Sequence, residues 1–154
     1  MTRASFLLIA LTTVLTGCGS KERGAGPISV TKLPIVGLVI EVPGEVIVDK
    51  AILGVGDMLI GEGVGAMAVE IVETPQTLDE AKSDAEIFTP RNLKSETLPD
   101  GWVLTFENTG SLGTNFFVDV RRDIDGKVYK CHANGHLKAQ ADAVVAACKT
   151  LKKG

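Results

Sequence analysis

Three side chains in the run Tyr129-Lys130-Cys131-His132-Ala133-Asn134-Gly135-His136 can do chemistry: a cysteine, the histidine beside it, and a second histidine four residues on. Thiolate and imidazole are the ligands that zinc prefers. A histidine held by a carboxylate is a general base, and a cysteine in an oxidising compartment pairs with another cysteine. Which chemistry is open depends on where the backbone points each group.

The run Thr114 to Ala133, TNFFVDVRRDIDGKVYKCHA, has Asp125-Gly126 between two β-rich stretches, the signature of a hairpin with a two-residue turn. Counting back from that turn sets Ile124 opposite Lys127, Arg122 opposite Tyr129, Val120 opposite Cys131 and Asp119 opposite His132. Neighbours on a strand point to opposite faces. Cys131 therefore shares a face with Val118, Val120 and Tyr129 and looks inward, while His132 looks outward beside Asp119, Arg121 and Lys130. On a regular strand the two cannot hold one metal.

His132 and Asp119 are expected to form a cross-strand pair, with His136 in an Asn134-Gly135 turn before a helix. Two further arrangements of these residues stay open. If the strand frays early, His132 and His136 meet and bind a divalent metal with Asp119. With Ser95 or Ser111 as nucleophile, His132 and Asp119 become the base and orienter of a hydrolase triad. Neither G-x-S-x-G nor H-E-x-x-H occurs, so no catalytic residue is assigned. The Asp125-Gly126 turn does not read as a calcium loop, because Arg121 stands where the first carboxylate is needed and no Glu closes it.

The elements that carry these groups follow from periodicity. Ile35 to Val42 reads as a strand; after Pro43-Gly44 come EVIVDKAIL, DMLIGEG and GAMAVEIVE, punctuated by Gly54, Gly56, Gly61, Gly63 and Gly65. These glycines match neither G-x-G-x-x-G nor G-x-x-x-x-G-K, so they read as turns and bulges and no cofactor is expected. Thr77-Leu78-Asp79-Glu80 is a capping box opening a helix, with Leu78, Ala81, Ala85 and Phe88 on one face and an end by Thr89, ahead of Pro90. In GWVLTFEN, Trp102, Leu104 and Phe106 share a face opposite Val103, Thr105 and Glu107. That aromatic face is expected to be core, although Trp102, Phe106 and Phe116 would also suit a small apolar ligand between sheet and helix. Leu137, Ala141, Val144, Cys148 and Leu151 form the buried stripe of a final helix whose last turn gathers Lys149, Lys152 and Lys153.

The chain opens MTRASFLLIALTTVLTGCGS: Arg3, an apolar run from Phe6 to Leu15, then Leu15-Thr16-Gly17-Cys18. The apolar run is shorter than the roughly 20 residues of a membrane span and has the form of a secretory signal. Its last four residues resemble the lipobox of bacterial lipoproteins. The resemblance implies cleavage before Cys18, a diacylglyceryl thioether on its sulfur, and an acyl chain such as palmitate on its amino group. Gly19 in place of Asp implies, by the same resemblance, the outer membrane facing the periplasm. The expected organisation is a signal peptide at 1–17, a lipidated flexible tether at 18–32 with a mean reach of ~20 Å, and one globular domain at 33–154.

With Cys18 taken up by lipid, two of the three cysteines remain, both looking inward, in an oxidising compartment. A Cys131–Cys148 bridge between strand and helix is expected. Arg3 is the only charged residue in 1–17, so the mature chain keeps all 19 acidic side chains, loses one of the 16 basic ones, and carries a net charge of −4. That balance excludes a nucleic-acid-binding surface. The expected fold is α+β: a mostly antiparallel sheet of five to seven strands with one mid-chain and one C-terminal helix packed on it. The order of VGLVIEVPGEVIV, the helix Thr77 to Phe88, the strands GWVLTFEN to KVYKC and the final helix resembles the PsbP-like α/β/α sandwich found in small bacterial lipoproteins. The expected function is that of a lipid-anchored envelope protein with a non-catalytic binding or scaffolding domain, in contact with the membrane through Cys18 and with an envelope protein partner.

Overall fold

The computed structural model describes residues 26–154; the expected signal peptide, Cys18 and the first part of the expected tether lie outside the described residues. Ten strands form two antiparallel sheets. β1 (Ile28–Leu33) and β2 (Leu38–Pro43) pair in a small sheet of order β1-β2-β10, closed by β10 (Lys152–Lys153). The larger sheet holds β3 (Ile47–Lys50), β4 (Val55–Gly61), β5 (Gly65–Ile71), β6 (Arg91–Leu98), β7 (Gly101–Gly110), β8 (Gly113–Ile124) and β9 (Lys127–Gly135), in the order β3-β4-β5-β9-β8-β7-β6. The helices are α1 (Leu78–Ala85), which tightens into a 3₁₀ turn over Glu86–Phe88, and α2 (Lys138–Lys149).

Alternation along the strands divides the core. Val103, Val118, Val120, Tyr129 and Cys131 face one way and pack with Leu33, Ile40 and Val42 of the small sheet and with Val144, Ala147 and Cys148 of α2. Trp102, Leu104 and Phe106 face the other way and pack with Ala81 and Ala85 of α1. β7 is thus buried on both faces, which is why its sequence reads as an almost unbroken apolar run. Phe106 stacks on Phe117 with ring centroids 4.6 Å apart.

The β8–β9 hairpin has the expected register, from Ile124 opposite Lys127 to Asp119 opposite His132. Asp125 and Gly126 take φ of 49° and 74°, the two left-handed positions of a type I′ turn. Close approach explains one of the other glycines: a Cβ on Gly63 would lie 2.3 Å from the carbonyl oxygen of Pro43, where the β4–β5 turn meets the end of β2.

Several expectations need correction. The described residues hold ten strands in two sheets rather than one sheet of five to seven, and Leu137, expected in the stripe of the final helix, caps it and is exposed. Residues 28–32, read as tether, belong to β1: Ser29 to Leu33 pair with β2 although Ile28 and Val30 are exposed, so pairing rather than burial holds them. Ile35 and Val36 form the β1–β2 turn rather than the start of a strand. The final helix stops at Lys149, and Lys152 and Lys153 pair with Val39 and Leu38 instead of lying in a last helical turn. β6 was not anticipated, because an edge strand exposing Arg91, Lys94 and Glu96 carries charges that defend it from pairing with another chain and hide its apolar pattern.

Candidate functional site

The groups with chemical potential fall on both faces of the larger sheet. Inward, Cys131 of β9 is bonded to Cys148 of α2, their Cα atoms 5.9 Å apart. The helix stripe and strand alternation that aim both sulfurs into the core also bring them together, and both are fully buried.

Beside the bridge lies Arg122, placed on the inner face by the same register that sets it opposite Tyr129. Its Nη1 donates to the carbonyl oxygens of Cys148 and Lys149 at 2.9 and 2.6 Å, while Nε and Nη2 donate to Asp100 at 3.0 and 2.7 Å. The guanidinium therefore adds a donor to carbonyls at the C-terminus of α2, where the helix dipole favours a cation and Cys148 O has a long 3.4 Å bond from Leu151 N. Asp57 of β4 is the one buried charged residue among those described, at 0% exposure. Its carboxylate accepts from Ile35 N at 3.2 and 3.1 Å and from Val36 N at 2.9 Å, locking the β1–β2 turn. Sequence reasoning passed over both residues. The available signals were a lone acid in the apolar run of β4 and an arginine that the register turned toward the core.

Outward, one row of the sheet runs from Ser95 on β6 through Leu104 on β7 and Asp119 on β8 to His132 on β9 and Ala68 on β5. Asp119 and His132 are directly opposite, yet they do not pair. Lys130 Nζ meets Asp119 at 3.1 Å, and His132 Nε2 meets Glu70 at 3.1 Å. Both are diagonal contacts: the long arms of Lys130 and Glu70 cross to the next residue pair, and the permanent charge of Lys130 is the stronger partner for Asp119. The expected His132–Asp119 pair is thereby replaced. The Glu70 contact is an ion pair when the imidazole is protonated and otherwise a hydrogen bond from Nε2–H to the carboxylate.

The other site residues do not converge. His136 follows the end of β9, because Asn134 and Gly135 continue the strand instead of forming the expected turn, and its Nδ1 lies 3.2 Å from Thr114 O. Four residues along a strand separate it from His132 by ~13 Å. Among the described residues, no group of three or more His, Cys, Asp or Glu is gathered as a metal site requires. Ser95 shares the row with His132 but stands three strands away, ~14 Å at ordinary strand spacing. Ser111 lies in the β7–β8 turn, eight residues from Asp119 and ~25 Å along the strand. Neither serine reaches His132 as a nucleophile would have to.

The three aromatic residues considered for an apolar ligand also separate. Trp102 is 7% exposed under α1, and its Nε1 donates to Gln76 O at 3.3 Å. Arg121 Nη1 donates to the same oxygen at 3.0 Å, which pins the approach to α1. The Phe106 side chain faces α1 and that of Phe116 the other side of the sheet, although both residues line one cavity. That cavity, of about 100 Å³, lies between the β6–β7–β8 end of the sheet and α2, lined by Lys94, Glu107, Phe116, Lys138 and Asp142 among others. It is smaller than the ~300–1,000 Å³ of a small-molecule site.

No protein-family model matches the chain, and no curated protein matches it.

Proposed function

We propose that the protein is a bacterial lipoprotein of the cell envelope, anchored through Cys18, whose domain binds or scaffolds an envelope protein without catalysing a reaction. The observation that carries this reading is the division of the three cysteines. Cys131 and Cys148 are bonded to each other, and Cys18 stands apart, directly behind the apolar run that ends in Leu15-Thr16-Gly17. A bridged pair belongs to oxidising compartments, and the leader supplies the route to one. Palmitate at Cys18 and location at the outer membrane facing the periplasm are part of the same proposal. One acyl chain holds a protein only marginally, so the two or three chains of the lipoprotein modification are what make the attachment durable.

The arrangement of α1 and α2 on opposite faces of the larger sheet supports the finer reading of an α+β, PsbP-like α/β/α sandwich. Support for binding rather than catalysis comes from the outer row, where Asp119 and His132 are paired to Lys130 and Glu70 and Ser95 stands three strands from His132.

The test is expression of the full chain in a bacterial host with labelled palmitate, followed by intact-mass analysis. Label and added mass are expected on the wild-type protein and not on Cys18→Ala, and Cys131 and Cys148 should resist alkylation until a reductant is added. An unlabelled wild-type product overturns the proposal. Crosslinking in intact cells from Leu53, exposed at the end of the domain away from Gly26, then identifies the partner.

A further inference from the structure

The two ends of the domain differ in a way that bears on how it meets a membrane. Gly44 N donates to Pro27 O at 2.9 Å, so the chain enters the domain beside the β2–β3 connection. The β4–β5 turn, the β7–β8 turn and the start of α2 lie at this same end. It also carries Leu112, 92% exposed at the apex of the β7–β8 hairpin, and Leu137, exposed just before α2; Ile47, Ile60 and Ile28 are exposed on strands farther across the domain. The hairpin projects beyond the adjoining strand, because β8 residues before Phe116 have no partner on β9. From Asn108 to Phe117 there is no charged side chain. The Thr109 and Thr114 hydroxyls bond each other at 3.1 Å, so the tip satisfies polar groups internally.

At the opposite end the turns contain Asp100 and Asp125, with Lys153 paired to Asp125. Ile52 and Leu53 are exposed there as well, at 82% and 79%. The eight residues from Cys18 to Gly26 span no more than ~29 Å however they run. Bringing Ile52 to the bilayer would draw that segment out by the ~23 Å between Glu45 and Ile52. Leu112 lies at the end where the connection enters and needs no such extension; that end also exposes Glu45, Glu62 and Lys138, so reach and not charge separates the two ends.

We propose that the Leu112 hairpin rests in the interfacial layer of the membrane that holds the acyl chains of Cys18, as a second, non-covalent lipid contact. The inference depends on lipidation of Cys18. An uncharged tip with an apolar apex suits the boundary between headgroups and acyl chains, and the short connection from Cys18 keeps it there by raising its effective concentration at the surface.

The experiment uses the full-length acylated protein in phosphatidylcholine vesicles carrying brominated acyl chains, with tryptophan emission as the readout. The unsubstituted protein gives the baseline of buried Trp102. The emission added by Leu112→Trp should shift to shorter wavelength and lose most of its intensity to bromine, while that added by Leu53→Trp should keep both. Both positions are exposed, so neither change removes packing. An unquenched Leu112→Trp, or equal quenching of Leu53→Trp, overturns the inference in protein whose mass shows an acylated Cys18. A mass without acyl chains overturns the anchoring itself.

Discussion

The two faces of the larger sheet are covered by helices of similar make and held by different means. On the α2 face, a covalent bridge, the Arg122 clamp on the last carbonyls and the buried Asp57 tie helix, sheet and small sheet together across long stretches of sequence. On the α1 face, the helix depends on its own capping box, on Ala81 and Ala85 against the aromatic face of β7, and on Gln76 O holding the segment that leads into it. The difference teaches that one layer is tied by a covalent bridge and buried charge, and the other by a local capping box and packing. Local constraints open at lower free energy, so α1 should exchange its amide hydrogens well before α2.

The comparison breaks most severely if the bridge is removed. Reduction, or Cys131→Ala with Cys148→Ala, should cost ~3 kcal/mol for a separation of 17 residues. Denaturant unfolding should show the loss, and α1 exchange should keep its place as the faster of the two. Asp57→Ala comes next. It strands the N–H groups of Ile35 and Val36, the latter buried, and should cost ~2 kcal/mol, with new exchange confined to the β1–β2 turn. Thr77→Ala removes the acceptor for Glu80 N and should cost ~1 kcal/mol, read as faster exchange in α1 with α2 unchanged.

Much of this division was legible in the sequence. The hairpin register from Asp125-Gly126, the split of Trp102 and Leu104 from Val103, the capping box and the aim of Cys131 and Cys148 all follow from period and turn chemistry, which act over a few residues. The small sheet was not legible in that way. β1 is held by pairing to β2 and β10 by a contact more than a hundred residues away in sequence, and neither carries a buried stripe of its own. The candidate site failed at a similar point. Register put Asp119 opposite His132 correctly, but the choice of partners was decided by Glu70, which arrives from β5 with no local mark of its coming.

The smallest effect sharpens the same contrast through pH. The Thr77 backbone N–H and hydroxyl bonds hold the Glu80 carboxyl below its ordinary range. A lowered folded-state value means that the contribution is present above the ordinary glutamate range and is lost as pH falls through the lowered value. Acidification should therefore free the start of α1 while leaving the bridge and α2 untouched, followed by the chemical shifts of Thr77 and Glu80. Lys153 runs oppositely. The bond and charge of Asp125 raise its value, so its contribution holds below the ordinary lysine range and disappears as pH climbs through the raised one.

The bridge has one more consequence. It turns the segment from Cys131 to Cys148 into a covalent ring that contains the end of β9, the exposed bend at His136 and Leu137, and nearly all of α2. A protease nicking that bend would open a ring rather than sever a line. Both products would stay joined through sulfur, and the helix would remain on its sheet.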